Sequence, residues 1–368
     1  MTKLHEIARL GQSIWYDNIR RGLMDSGEFQ KLLDDGVLGV TSNPTIFQKA
    51  IVGSDDYDSA MNALIGQGCS VSEIYESLVL EDIGRAADML RPIYDRTDGL
   101  DGYVSLEVSP KLAHDTENTV SEARRLFGVL GRPNVMIKVP ATAEGLPAIE
   151  QLIGEGINVN VTLIFSLQQY DAVTAAYIAG LERLAAGGGD LRKVASVASF
   201  FVSRMDVKVD KLLEAAGNRD LQGRIAIANS KVVYARFKEI FGDDRWGRLE
   251  AQGARVQRPL WASTSTKNPA YPDTLYVDNL IGPHTVNTVP PATLTAILDH
   301  GRVELTLEQR LDEAQADLAA LADLGIDLEK AAQELLDEGV EKFTVSFDDL
   351  LASIEEKRAR LLGKALPA

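Results

Sequence analysis

The 368-residue sequence predicts an α/β fold: a (β/α)8 TIM barrel with additional C-terminal helices. Three observations lead there. Short runs rich in β-branched and apolar residues alternate with helix-length segments, the pattern of parallel strands joined by crossover helices. There are eight such units, which suits a closed barrel, with an open doubly wound sheet as the alternative. Most of the runs carry a polar residue at or near the C-terminal end, although parallel strands are covered on both sides and ordinarily read as apolar. In a barrel those ends converge on one mouth, where active sites are found.

The elements follow in order. Leu4, Ile7 and Leu10 mark one face of a first helix. Gln12 to Asp17 reads as a strand ending in an acid. Ser26 to Asp34 reads as a helix, with Phe29, Leu32 and Leu33 as its apolar side. Val37 to Pro44 is a second strand and turn, followed by a helical region from about Asp56 to Leu90, broken near Gly66 to Cys69. Gly102 to Pro110 is the third strand, and the segment from Thr116 to Leu130 is a helix. Asn134 to Pro140 is the fourth strand, and a shorter helix runs from Gly145 to Ile153. Gly156 to Ile164 is the fifth strand, and Ser166 to Leu184 an amphipathic helix ended by Gly187, Gly188 and Gly189. Val194 to Val202, Arg258 to Ser263 and His284 to Val289 complete the strands.

Two helical stretches, about 206–252 and 306–362, extend the pattern, and no low-complexity linker interrupts residues 1–368. One domain is therefore expected. Thr306 with Gln309, and Ser346 with Asp349, have the spacing of capping boxes. Lys357, Arg358 and Arg360 sit near the end of the last helix, where cations suit its dipole.

The net charge of −16, from 38 basic and 54 acidic residues, argues against nucleic acid and anionic membranes as partners. It leaves room for phosphorylated small molecules, which need only a local basic pocket. A single cysteine, Cys69, rules out an internal disulfide and fits a cytoplasmic protein. The scattered His5, His114, His284 and His300 show no metal-ligand spacing, so no metal is expected. Nothing reads as a signal peptide or a membrane span.

The chain is organised around Asn134-Val135-Met136-Ile137-Lys138-Val139-Pro140-Ala141-Thr142. A lysine in the middle of an apolar strand is costly to charge, so burial favours its neutral, nucleophilic amine. Such an amine can attack a carbonyl and form a Schiff base. The alternative is a lysine on the wet face of an edge strand. The other strand-end polar residues are Asp17, Asn43, Glu107, Asn160 with Thr162, Ser199 and Ser263. Each alone has a structural explanation: Asp17 or Asn43 as a helix N-cap, Glu107 as a solvated position, Asn160 and Thr162 as satisfied core polars. Together, one lysine and two carboxylates form a chemically complete set. The amine is nucleophile, and the acids move protons during carbinolamine dehydration and carbon–carbon cleavage.

Here the sequence resembles the transaldolase family. Gly39-Val40-Thr41-Ser42-Asn43-Pro44-Thr45-Ile46-Phe47 matches one signature of that family. Ile137-Lys138-Val139-Pro140-Ala141-Thr142, with Glu144-Gly145-Leu146, matches the signature around its Schiff-base lysine. The resemblance implies Lys138 as the Schiff-base residue and Asp17 as the acid/base at the C4 hydroxyl of the substrate. It implies that Glu107 shuttles protons through a water held by Thr162. Asn43, Asn160 and Ser199 would contact the dihydroxyacetone moiety. Arg204 matches a phosphate-binding arginine. The second such arginine follows an Ala-Ser pair in the family, but this chain continues Ala262-Ser263-Thr264-Ser265-Thr266-Lys267, which leaves Lys267 as its replacement.

The implied reaction moves a dihydroxyacetone unit from sedoheptulose 7-phosphate to glyceraldehyde 3-phosphate, giving erythrose 4-phosphate and fructose 6-phosphate. No metal or organic cofactor is implied, and the chain would be a monomer or homodimer. The nearest alternative is a fructose-6-phosphate aldolase, a lyase whose members are shorter and carry tyrosine where this chain has Phe201. A barrel that has lost catalysis and serves as a scaffold is a third reading, disfavoured by the intact Asp17, Glu107 and Lys138.

Overall fold

The computed structural model describes residues 1–365. Eight parallel strands close into a barrel in sequence order: β1 (Gln12–Tyr16), β2 (Gly39–Val40), β3 (Val104–Glu107), β4 (Val135–Pro140), β5 (Val159–Ile164), β6 (Ser196–Phe201), β7 (Arg258–Ala262) and β8 (Thr285–Val289). β8 pairs back onto β1 from Gln12↔Thr285 to Tyr16↔Val289, so the sheet has no free edge and the open alternative is set aside. Helices lie between the strands, as the alternating pattern predicts. Thr116–Leu130 is capped by Asp115, whose carboxylate accepts from Asn118 N, and Leu167–Ala186 by Ser166, whose hydroxyl accepts from Gln169 N. Among the described residues no helix is long and apolar enough to cross a membrane.

Several sequence expectations need correction. β2 is only two residues long, because the chain turns at Ser42 and enters a helix, Pro44–Val52, where the sequence predicts a turn. Proline at the first helical position loses no hydrogen bond there, and Asn43 is the N-cap, its Oδ1 accepting from Ile46 N at 3.0 Å. Thr306 does not start a helix. Its hydroxyl accepts from Ile281 N, and the next helix is Leu311–Asp323. Ser346 and Asp349 lie inside one continuous helix, Leu328–Ala365. That helix buries Leu335, Leu336, Phe343, Leu350 and Ile354 along its length, so packing overrides the local capping pattern. Lys357 does not serve its own helix end. It is buried, and its Nζ donates to Ile51 O and Ser54 O and pairs with Asp58 at 2.6 Å, supplying a cation at the C-terminus of helix Pro44–Val52.

The N-terminal end of the barrel is closed by a buried polar cluster. Arg258, at the start of β7, pairs with Asp101 at 2.9 Å and donates to Ser13 Oγ and Leu100 O. Asp101 also accepts from Ser13 Oγ and Trp15 Nε1, so both charges are paired and hydrogen-bonded.

At the opposite end the Leu328–Ala365 helix crosses the mouth. A Cβ on Gly339 would sit 2.8 Å from a Leu163 methyl, so glycine lets the helix approach the tip of β5. Leu163 itself has a φ of 63°, at a register shift between β5 and β6. Thr45 Oγ1 donates to Ser346 Oγ at 3.1 Å and ties the crossing helix to helix Pro44–Val52.

Candidate active site

Register and alternation decide which side chains meet. Glu107 lies opposite Lys138, Lys138 opposite Asn160, and Pro140 opposite Thr162. Alternate residues on a strand share a face, so Glu107, Lys138, Asn160, Thr162 and Ser199 all face the barrel interior, in two tiers. In the lower tier Asn160 Nδ2 donates to Ser105 Oγ at 3.0 Å, and its Oδ1 accepts from Ser199 Oγ, in the tier above, at 2.7 Å. In the upper tier Lys138, 6% exposed, donates from Nζ to Ser42 O at 3.1 Å and lies 3.7 Å from Glu107 Oε2.

The turn after Lys138 is held by its own residues. Thr142 Oγ1 donates to Ala113 O and accepts from Gly145 N. A Cβ on Gly145 would fall 2.1 Å from Pro140 O, which no side chain could tolerate.

The mouth encloses a cavity of about 180 Å³ lined by Asp17, Thr41, Asn43, Lys138, Thr162, Ser199, Phe201, Arg204, Ser263, Ser265, Lys267, Thr288 and Phe343. Thr41 Oγ1 donates to Asp17 Oδ1 at 2.7 Å and orients that carboxylate. Thr162 Oγ1 is buried and unpartnered among the described residues, as is Glu107 Oε2 apart from its ion pair. Asn43 has spent its Oδ1 on the helix cap, which leaves its Nδ2 donors for the cavity.

Burial raises the pKa of Glu107 above the ordinary carboxylate value, against the pull of Lys138 and Arg204. This carboxyl therefore holds a proton to higher pH than an exposed glutamate would. A second, more apolar cavity of about 160 Å³ lies against Asn43 and Glu107, between Tyr75, Val79 and Phe347.

Two cations stand at the entrance. Arg204 opens the helix Ser203–Ala215 directly after β6, with its guanidinium carbon 5.0 Å from the ring centre of Phe201 and 5.7 Å from that of Phe343. Burial lowers its pKa, while Glu107 and Asp17 act in the other direction; a guanidinium remains charged regardless. Lys267 lies in the loop after β7, and its Nζ donates to Ser265 Oγ. Partial burial lowers its pKa, with the positive field of Arg204 adding to the effect.

The predicted site residues thus meet around one cavity, except that Asn160 sits a tier lower with both polar ends engaged, and Glu107 reaches the centre as the partner of Lys138. A buried amine, two carboxylates and a pair of cations in one mouth can bind an anionic carbonyl compound and form and break a Schiff base on it.

Comparison with known proteins agrees with this chemistry. Residues 14–354 match the family model described as transaldolase/fructose-6-phosphate aldolase. The chain is 49% identical to a transaldolase of Trichodesmium erythraeum, over 97% of this chain and 98% of that one. It is 50% identical to a transaldolase of Acidothermus cellulolyticus, over 97% of both. A transaldolase 2 of a Nostoc species is 49% identical over 96% of this chain and 97% of its own length.

The chain belongs to the transaldolase/fructose-6-phosphate aldolase family.

Within this family member, the most consequential residue missed by sequence reasoning is Phe343. It comes from the C-terminal helix, 205 positions from Lys138, yet its ring centre is 5.9 Å from Lys138 Nζ. Nothing local to Phe343 marks it, since an aromatic residue on an amphipathic helix reads as core. Thr41 was within reach of the sequence: it stands two residues before Asn43 in a matched signature, on the face that alternation assigns to Asn43.

Proposed function

We propose that this transaldolase transfers a dihydroxyacetone unit from sedoheptulose 7-phosphate to glyceraldehyde 3-phosphate through a Schiff base on Lys138. The observation that carries the reading is the Lys138 amine, buried in the barrel mouth 3.7 Å from Glu107 and lining one cavity with Asp17, Arg204 and Lys267. Lys138 Nζ attacks the ketose C2 carbonyl. Glu107, through a water placed against Thr162, supplies the proton that lets hydroxide leave the carbinolamine as water. Asp17 takes the proton of the C4 hydroxyl as the C3–C4 bond breaks and the aldose leaves. The retained three-carbon enamine then attacks the acceptor aldehyde; Asp17 returns its proton, and hydrolysis frees Lys138.

Asn43 Nδ2 and Ser199 hold the three-carbon unit, and Asn160 orients Ser199 from the tier below. Ser263 lines the donor channel, and Arg204 with Lys267 binds the phosphate. A cytoplasmic location, a monomeric or homodimeric state, and one domain spanning residues 1–368, with the 206–252 and 306–362 helices built onto the barrel, belong to the same proposal.

Phe201 favours transfer over release. Its ring lines the cavity and offers no hydroxyl to orient a water that would protonate the bound enamine. With donor alone the protein should give at most a stoichiometric burst of aldose phosphate, and Phe201→Tyr should raise dihydroxyacetone release relative to transfer. Steady release by the unmodified protein at a rate comparable to transfer would favour the lyase reading.

Phe343 is expected to hold Arg204 in place and keep bulk water from Lys138. Losing a partly desolvated cation–π contact costs about 0.5–2 kcal/mol, so Phe343→Ala should raise the donor KM roughly two- to thirtyfold at one decade per 1.4 kcal/mol. Phe343→Tyr should preserve it. Steady-state kinetics with an unchanged KM in the alanine variant would remove Phe343 from the binding machinery.

A further inference from the structure

The loop that carries Lys267 is fastened to the helix that carries Arg204. Helix Ser203–Ala215 places Asp206 and Asp210 one turn apart. Each carboxylate bridges two separate segments. Asp206 Oδ1 accepts from Ala226 N at 2.8 Å and its Oδ2 from Tyr276 OH at 2.9 Å. Asp210 Oδ1 accepts from Gly223 N at 3.0 Å and its Oδ2 from Tyr271 OH at 2.7 Å. Tyr271 and Tyr276 both belong to the segment after β7, and Tyr271 is four residues beyond Lys267. The Tyr271 ring also covers Gly223, where a Cβ would come within 2.8 Å of it; that glycine has a φ of +70°.

The fastening has a physical reason. Arg204 and Lys267 line the same cavity, where two cations repel each other. Asn268 to Ala270, directly beyond Lys267, are exposed, so little packing holds this part of the loop against that repulsion. The carboxylate–phenol hydrogen bond between Asp210 and Tyr271, with the buried Asp206–Tyr276 bond behind it, can hold it instead.

We propose that Asp210 and Tyr271, backed by Asp206 and Tyr276, are positioning residues that hold Lys267 at the distance from Arg204 that one phosphate group requires. The inference rests on the reading of Arg204 and Lys267 as the phosphate pair. The clasp touches neither phosphate nor the reacting carbons; it acts through Lys267 alone.

A double-mutant cycle with Tyr271→Phe and Lys267→Ala tests it, using fructose 6-phosphate and unphosphorylated fructose as donors. Tyr271→Phe keeps the ring on Gly223, and Tyr271 is only half-buried, so the fold should stand; Asp210→Asn provides a second variant. Tyr271→Phe and Asp210→Asn should each raise KM for fructose 6-phosphate about three- to tenfold, as expected for one charge-assisted contact acting indirectly. Neither should change kcat or the kinetics with fructose. In the Lys267→Ala background, Tyr271→Phe should shift KM less than about twofold, because coupled residues do not add.

Unchanged KM in both Tyr271→Phe and Asp210→Asn would overturn the proposal. So would equal losses on both donors, or full additivity with Lys267→Ala. A Lys267→Ala variant with normal KM for the phosphorylated donor would instead overturn the phosphate assignment beneath it, which separates the two failures.

Discussion

Lys138→Arg should lose transfer activity by on the order of 10⁴–10⁶-fold, the scale seen when an essential nucleophile is removed. A guanidinium stays protonated and has no free pair with which to attack a carbonyl. Arginine retains the charge opposite Glu107, so the loss would reflect missing nucleophilicity and not a missing ion pair. In the unmodified protein, donor plus borohydride should reduce the imine and leave a three-carbon adduct that peptide mapping places on Lys138. The arginine variant should acquire none. An adduct on another lysine, or none during turnover, would defeat the Schiff-base reading. Glu107→Gln separates the proton-moving role from the nucleophile: it should slow adduct formation while still directing the adduct to Lys138.

The largest effect on stability is expected at the other end of the barrel. Asp101→Ala removes a carboxylate 2.9 Å from a guanidinium of which the side chain is 6% exposed, and leaves that charge buried without its partner. Breaking a buried pair in this way costs about 3–5 kcal/mol. Ser13 and Trp15 lose an acceptor in the same step. Urea unfolding should show the loss, and a change of less than about 1 kcal/mol, the value typical of a solvated surface pair, would contradict the geometry. Because Asp101 lies away from the mouth, the folded fraction should retain ordinary kcat. Replacing both partners with apolar residues of similar volume should recover much of the stability, since neither charge then remains to be desolvated.

The two sites differ in how far they were legible. Lys138 could be read because its neighbours in sequence are also its neighbours in burial: a strand of apolar residues carries its own information about the environment of the residue at its centre. Asp101 was not read, because it lies in a loop and its meaning comes from Arg258, 157 residues away. Asn43 admits two readings, helix cap and ligand; the structure shows the cap, through Oδ1, and leaves Nδ2 beside the cavity. The predicted cap at Ser346 failed because a local pattern competes poorly with a helix that buries apolar side chains on both sides of that position.

By itself the sequence determined the eight strand–helix units, the polar strand ends and the lysine at the centre, because alternation and strand-end placement are properties of short segments and need no knowledge of partners. Only the tertiary structure decided closure of the barrel, the depth of Asn160 beneath Ser199, the arrival of Phe343 over Lys138, and the clasp that brings the Lys267 loop to Arg204. Those features depend on contacts between residues far apart in the chain. Their energies are set by burial and by the pairing of specific atoms across elements, and no local window of sequence contains both members of such a pair.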